Sequence, residues 1–253
     1  RRVQIPWGDN GADSSTINDD GLTIMERSIE WAMGNGGNIT GVVFKEFTEV
    51  KVPSATTSAD LAVPAGTQEG DLLITAMVMD GNPQPMVADA SWNQITVATN
   101  GSDALIAVWW KLASSTEPST YNFSWDFNDN AYGWMMRFTG HDPSSPIDTF
   151  DSATGSSSSP EAPSISTGAD NCMILRLGGF DDDDISEDNP GMTGHNTITM
   201  DRSMTGNTFT CSGGAAYSYL PTAGDAGTAN FSLTASEQYV TVTLSIVPDT
   251  SSE

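Results

Sequence analysis

Basic residues are scarce in this chain. Nine lysines and arginines face 33 acidic residues across 253 positions, for a formal net charge of −24. A surface of that sign repels nucleic acid and anionic lipid, so neither is an expected partner. The only lysines are Lys45, Lys51 and Lys111. Low lysine beside abundant Asp, Ser, Thr and Gly suits an extracellular or cell-surface protein in a salty medium, where ions screen self-repulsion. No apolar run approaches the about 20 residues that a membrane helix needs, so no membrane insertion is expected.

Chemistry-bearing motifs are missing too. The two histidines, His141 and His195, both lie in turn-like surroundings, Thr-Gly-His-Asp-Pro and Gly-Met-Thr-Gly-His-Asn. No G-x-S-x-G, H-E-x-x-H, P-loop or dinucleotide fingerprint occurs. The chain is therefore read as not an enzyme, and no catalytic residue is assigned. Cysteine is limited to Cys172 and Cys211. An even count in a secreted-looking chain predicts one disulfide between them. Asn38, Asn100, Asn122 and Asn230 begin glycosylation sequons. Arg1 in place of an initiator Met reads as a processed product or a piece of something longer.

Hydrophobic residues make up 38% of the chain and aromatics 8%, lean but sufficient for a core. Residues 1–38 form a first unit. Arg2–Trp7 reads as a short strand, and Leu22, Met25, Ile29 and Met33 then recur at helical spacing. Asp19 or Asp20 can cap that helix and Gly34 can close it, with Asn35–Asn38 as a hinge. The apolar stripe must be buried against something, which predicts assembly or docking for this segment.

Residues 39–253 form the second unit, in which the period changes to two. Strands are predicted at Val42–Phe47, Asp71–Met79, Ile95–Ala98, Ala104–Ala113, Tyr121–Trp125, Tyr132–Thr139, Ile147–Phe150, Cys172–Phe180, Thr197–Met200, Ala215–Leu220, Thr228–Leu233 and Tyr239–Val247. Gly, Pro, Asn, Asp and Ser clusters separate them, and Thr154–Pro163 reads as a long loop. The expected fold is mainly β: an antiparallel, jelly-roll-like β-sandwich with an N-terminal strand–helix appendage.

Several segments carry a resemblance: AGTQEGDLLITAMV, ALIAVWWKLASSTEPSTYNFSW, YGWMMRFTGHDPSSPID, CMILRLGGFDDDD and TASEQYVTVTLSIVP. In this order, over residues 41–248, they resemble β-sandwich modules of large secreted proteins of marine and aquatic bacteria. The resemblance implies no catalytic residues. RRVQIPWG and NDDGLTIMERSIEWA look like the closing strand and helix of an amidotransferase-like α/β domain, only the tail of which would be present.

Two candidate sites follow. Asp181, Asp182, Asp183, Asp184 and Glu187 crowd one loop, and a hard cation, Ca²⁺, relieves such repulsion with its six to eight oxygen ligands. A solvated acidic loop is the alternative. Asp126, Asp129 and Asp201 are further donors for such a site. Trp109, Trp110 and Trp134, if exposed, suit stacking on a polysaccharide, although aromatics within strands usually fill cores. The adjacent Trp109 and Trp110 must point to opposite faces of a sheet. The function expected is a structural or adhesive subunit of an extracellular assembly. Its partners are other copies of itself or neighbouring domains, met through sandwich edges and the N-terminal segment. A carbohydrate-binding module, Ca²⁺-stabilised, is the alternative.

Overall fold

The structure, a computed structural model, describes residues 41–81, 84–87, 90–206 and 210–250. The strand–helix expected within residues 1–38, with Leu22, Met25, Ile29 and Met33, lies outside the described residues. So does the boundary proposed at residue 39. Among the described residues there is no helix, and the strands pair antiparallel throughout.

Strands β1 (Val43–Ala62), β2 (Leu72–Asp80), β4 (Asn93–Asn100), β5 (Ala104–Leu112) and β6 (Thr120–Thr139) form one sheet in the order β1-β6-β2-β5-β4. The short β3 (Pro85–Val87) pairs with β6. Strands β7 (Ile147–Ser157), β10 (Cys172–Asp181), β11 (Asn196–Arg202), β12 (Cys211–Leu220) and β15 (Glu237–Ile246) form the second, in the order β11-β12-β10-β15-β7. Two small ribbons complete the fold: β8 (Glu161–Ala162) with β14 (Ala229–Asn230), and β9 (Ser166–Thr167) with β13 (Gly224–Asp225).

Alternation along the central strands explains the packing. In β2, Leu72, Ile74, Ala76 and Val78 face the other sheet; in β15, Val240, Val242, Leu244 and Ile246 do the same. Together with Tyr132, Trp134, Met136, Phe138, Met173, Leu175 and Leu177 they make one apolar layer shared by both sheets. The intervening residues of β2, Leu73, Met77 and Met79, are equally dry. They lie under Trp92, Trp109, Phe123 and Trp125 on the outer face. Burial on both faces is why β2 reads as a continuous hydrophobic run rather than an alternating one.

Most predicted strands occur close to their expected bounds, but some ends move. Val42–Phe47 grows into the 20-residue β1, whose second half is the polar Pro53–Ala62. That half is extended because it pairs with the first half of β6, from Thr56 against Asp129 to Ala62 against Thr120. Only Ala59 and Leu61 of it are buried, so hydrophobicity could not announce it. Tyr121–Trp125 and Tyr132–Thr139 are one strand, β6, continued through Asp126–Ala131 by the same pairing. Thr154–Pro163 is no plain loop: β7 runs to Ser157 and β8 follows.

The shared layer is tight enough to test. A Cβ on Gly213 would sit 2.9 Å from both the Trp134 ring and the Gly178 carbonyl. Gly213→Ala is expected to cost about 1–3 kcal/mol by overpacking and to lower Tm by several degrees. An unchanged melting curve would mean that the sheets do not meet there.

Candidate functional site

The densest acidic chemistry gathers where β2 and β10 end. β2 and β10 both leave their sheets through a residue with positive φ, Gly81 (78°) and Asp182 (66°). The carboxylates just before those turns, Asp80 and Asp181, repel one another across the junction. Burial, reinforced by Asp181, pushes the Asp80 carboxyl up to about 6. Burial likewise raises Asp129 to about 7, with Asp80 contributing. Asp181 is raised by burial and then by Asp103 and Asp182.

Within this end, Asp182, Asp184 and Glu237 bring one carboxylate oxygen each to within 4.8 Å of one another. Thr210 Oγ1 donates to Asp182 at 2.9 Å, and Thr234 Oγ1 donates to Asp184 at 3.1 Å, which orients both carboxylates. Burial and the facing Asp184 raise the Glu237 carboxyl. Three half-buried carboxylate oxygens at this spacing have the chemistry to share a hard cation or a proton.

The structure brings together only part of the expected ligand set. Asp182 and Asp184 converge, but on Glu237 from β15 and not on their sequence neighbours. Asp183 and Glu187 both face Arg202, each at 3.9 Å, and Asp183 also accepts the Gly206 amide at 2.9 Å. Asp201 is ion-paired with Lys51, and Asp126 accepts the Gln84 amide at 2.7 Å. Glu237 lies two residues before the predicted strand Tyr239–Val247; its approach to the acidic loop depends on β15 lying beside β10.

The disulfide is also corrected: Cys172 and Cys211 are free thiols, both buried. β10 and β12 pair so that Cys172 lies against Leu220 and Cys211 against Asp181. The two thiols thus sit at opposite ends of a ten-residue ladder, about 30 Å apart at 3.3 Å per residue. No bridge spans that distance. Burial pushes the Cys211 thiol up to about 12, and that of Cys172 upward as well, so neither is reactive at neutral pH.

Trp109 and Trp134 are 2% and 0% exposed, which overturns their assignment to sugar stacking. Trp109 packs at 5.5 Å from Phe123 on the outer face, and Trp134 at 5.2 Å from Tyr132 in the shared layer. Trp110 points to the opposite face from Trp109, as the pleat requires, and is half-buried against the shared layer.

Two buried cations were not anticipated. Arg176, 1% exposed, interrupts the apolar run of β10 and donates to the carbonyls of Ala162, Pro163, Ala226 and Gly227. Its Nε also donates to His195 Nε2 at 3.1 Å. His195 is therefore the neutral tautomer that donates from Nδ1 to the Thr193 carbonyl. Burial, then Arg176, lowers its pKa. Lys111 is held by Glu117 at 2.8 Å and by the Tyr121 hydroxyl, beneath the Trp92 ring. Both cations tie irregular outer segments to a sheet. The signal for Arg176 was visible as one charge inside Met173-Ile-Leu-Arg-Leu177.

No protein-family model matches this chain, and no curated protein or solved structure matches it either.

Three measurements follow from this geometry. Intact mass should not change on reduction, and the two thiols should react only after unfolding; a mass gain of two protons on reduction would restore the bridge. Arg176→Ala should cost on the order of 3 kcal/mol or more, because four carbonyls lose a charged donor in a dry site. The third concerns pH. A carboxyl with a raised folded pKa binds its proton more readily folded than unfolded, so it lowers stability as pH rises from about 4 to 7. Asp80→Asn and Asp129→Asn should therefore raise Tm at pH 7.5 and lose most of that gain at pH 5. Equal shifts at both values would show that the carboxylates are fully solvated.

Proposed function

We propose that this chain is a non-catalytic structural or adhesive module of an extracellular or cell-surface assembly. The observation that supports it best is the length of its sheet edges. β1 and β4 border one sheet and β7 and β11 the other, with β1 running for 20 residues and β7 for 11. Edge strands carry backbone donors and acceptors on their open side and accept strands from other chains. β7 presents Phe150, 46% exposed, between the exposed Asp148 and Asp151. The partners proposed are further copies of the chain or neighbouring domains of a larger surface protein, in a medium salty enough to screen the charge of −24.

As finer architecture we propose a sandwich in which each half of the chain builds one sheet. β1 to β6 stay together and β7 to β15 follow, whereas a jelly roll passes its strands back and forth between sheets. Calcium remains part of the proposal in the revised form Asp182, Asp184 and Glu237. The carbohydrate-binding alternative keeps only Trp110 of its three tryptophans.

Sedimentation of the purified chain at physiological salt tests the assembly reading. Concentration-dependent oligomers that dissolve at low ionic strength, where self-repulsion is unscreened, are expected. A strict monomer at every salt concentration would sink it. Thermal melts with and without millimolar Ca²⁺ test the cation. A higher Tm that Glu237→Gln abolishes is the expected result, and indifference to both Ca²⁺ and chelator leaves a solvated acidic end.

A further inference from the structure

The two sheets are built the same way. Each begins with an edge strand (β1, β7) and follows it with a central strand (β2, β10). Each then makes an antiparallel pair (β4–β5, β11–β12) and ends with a strand inserted between the first two (β6, β15). Residue-level pairing keeps the same register in both. Leu72 pairs with Leu112 and Phe138, while Met173 pairs with Tyr219 and Ile246. Phe138 pairs in turn with Phe44, and Ile246 with Ile147.

The irregularities coincide too. β1 and β7 are each bulged directly after those last pairs, and β4 and β11 are bulged at Gln94/Thr96 and Thr197/Thr199. β2 runs between positive-φ residues Gly70 and Gly81, and β10 runs between Asn171 and Asp182. Bulges and left-handed residues are costly local features, so their recurrence in one register points to common construction. Short stretches of sequence agree at the matched positions: Asn93-Gln-Ile-Thr96 with Asn196-Thr-Ile-Thr199, and Asn122-Phe-Ser124 with Asn230-Phe-Ser232.

We infer that residues 41–142 and 144–250 are two diverged copies of one five-stranded unit. The apolar layer between them is a twofold dimer interface retained inside a single chain. Where the halves meet at their ends, His141 pairs with Pro248 and the Asp249 amide donates to Gly140. Both belong to one antiparallel bridge, and it joins matched segments, Gly140–His141 of the first half and Pro248–Asp249 of the second. Fusion has let the two inner faces diverge in size. Tyr132, Trp134, Ile106 and Val78 of the first half match Val240, Val242, Gly213 and Gly179 of the second. A Cβ on Gly179 would meet Val78 at 3.1 Å, and one on Gly213 would meet Trp134 at 2.9 Å. Large side chains of one half fill the space above glycines of the other. The partner that each inner face now fits is the opposite half, and two first halves together would overpack.

Two full-length variants test this. In one, a protease recognition sequence between Ser144 and Ser145 is cut after folding. The fragments should co-elute as one 1:1 particle, with an unfolding midpoint that rises with protein concentration. Fragments that separate in native buffer would overturn the interface. In the other, the halves exchange order: residues 1–40, then 144–250, Pro143, 41–142 and 251–253. Twofold equivalence makes the new junction span the same distance as the native one. This chain should melt cooperatively within about 10 °C of the parent. A parallel version carries a long Gly/Ser junction as the control. Folding only with the long junction, or with neither, would show that the two ends are not equivalent and would overturn the inference.

Discussion

Neither sheet of this protein can leave its inner face in water. Eleven large apolar positions of β2, β6 and β15, from Leu72 through Trp134 to Ile246, lie in a single layer that only two opposed sheets can close. At roughly 25 cal/mol per Å² this layer is the main stabilising term available to a chain with so few ion pairs and no disulfide among its described residues. Everything else is arranged around keeping it shut. At Gly179 and Gly213 the opposite face brings Val78, Ile106 and Trp134 so near that an added Cβ would crowd them.

The outer faces pose the opposite problem, since polar connecting segments must lie on apolar sheet surface. The molecule meets it with one buried cation per sheet. Lys111, with Glu117 and Tyr121, secures the segment under Trp92, and Arg176 gathers the carbonyls of Ala162, Pro163, Ala226 and Gly227, in and beside the small ribbons, next to His195. Trp92 and His195 occupy matched places, each directly before a bulged edge strand, so aromatic and cation are paired in both halves although the cation comes from a different strand. A buried guanidinium is tolerable here because backbone carbonyls replace its water.

Charge is distributed with the same logic. Most carboxylates are spread over the surface, but Asp80, Asp129, Asp181, Asp182, Asp184 and Glu237 converge at one end, where burial and mutual repulsion raise several of their pKa values. Holding like charges together costs free energy, and a fold keeps such a feature when a proton, a cation or a partner relieves it under working conditions.

The sequence alone showed the mainly β character of the chain, the positions of the central strands and which of their residues alternate inward, because period-two hydrophobicity is a local property of each strand. It also showed the acid excess and the opposed faces of Trp109 and Trp110. It could not show the polar half of β1, whose extension comes from pairing with β6, nor the sharing of carboxylates between Asp182, Asp184 and Glu237. Even the cysteines, 39 positions apart in sequence, are separated by the ladder register of β10 and β12. Pairing order, register and the matching of the two halves are relations between distant segments. Only the closing of the two sheets over their common layer decides them.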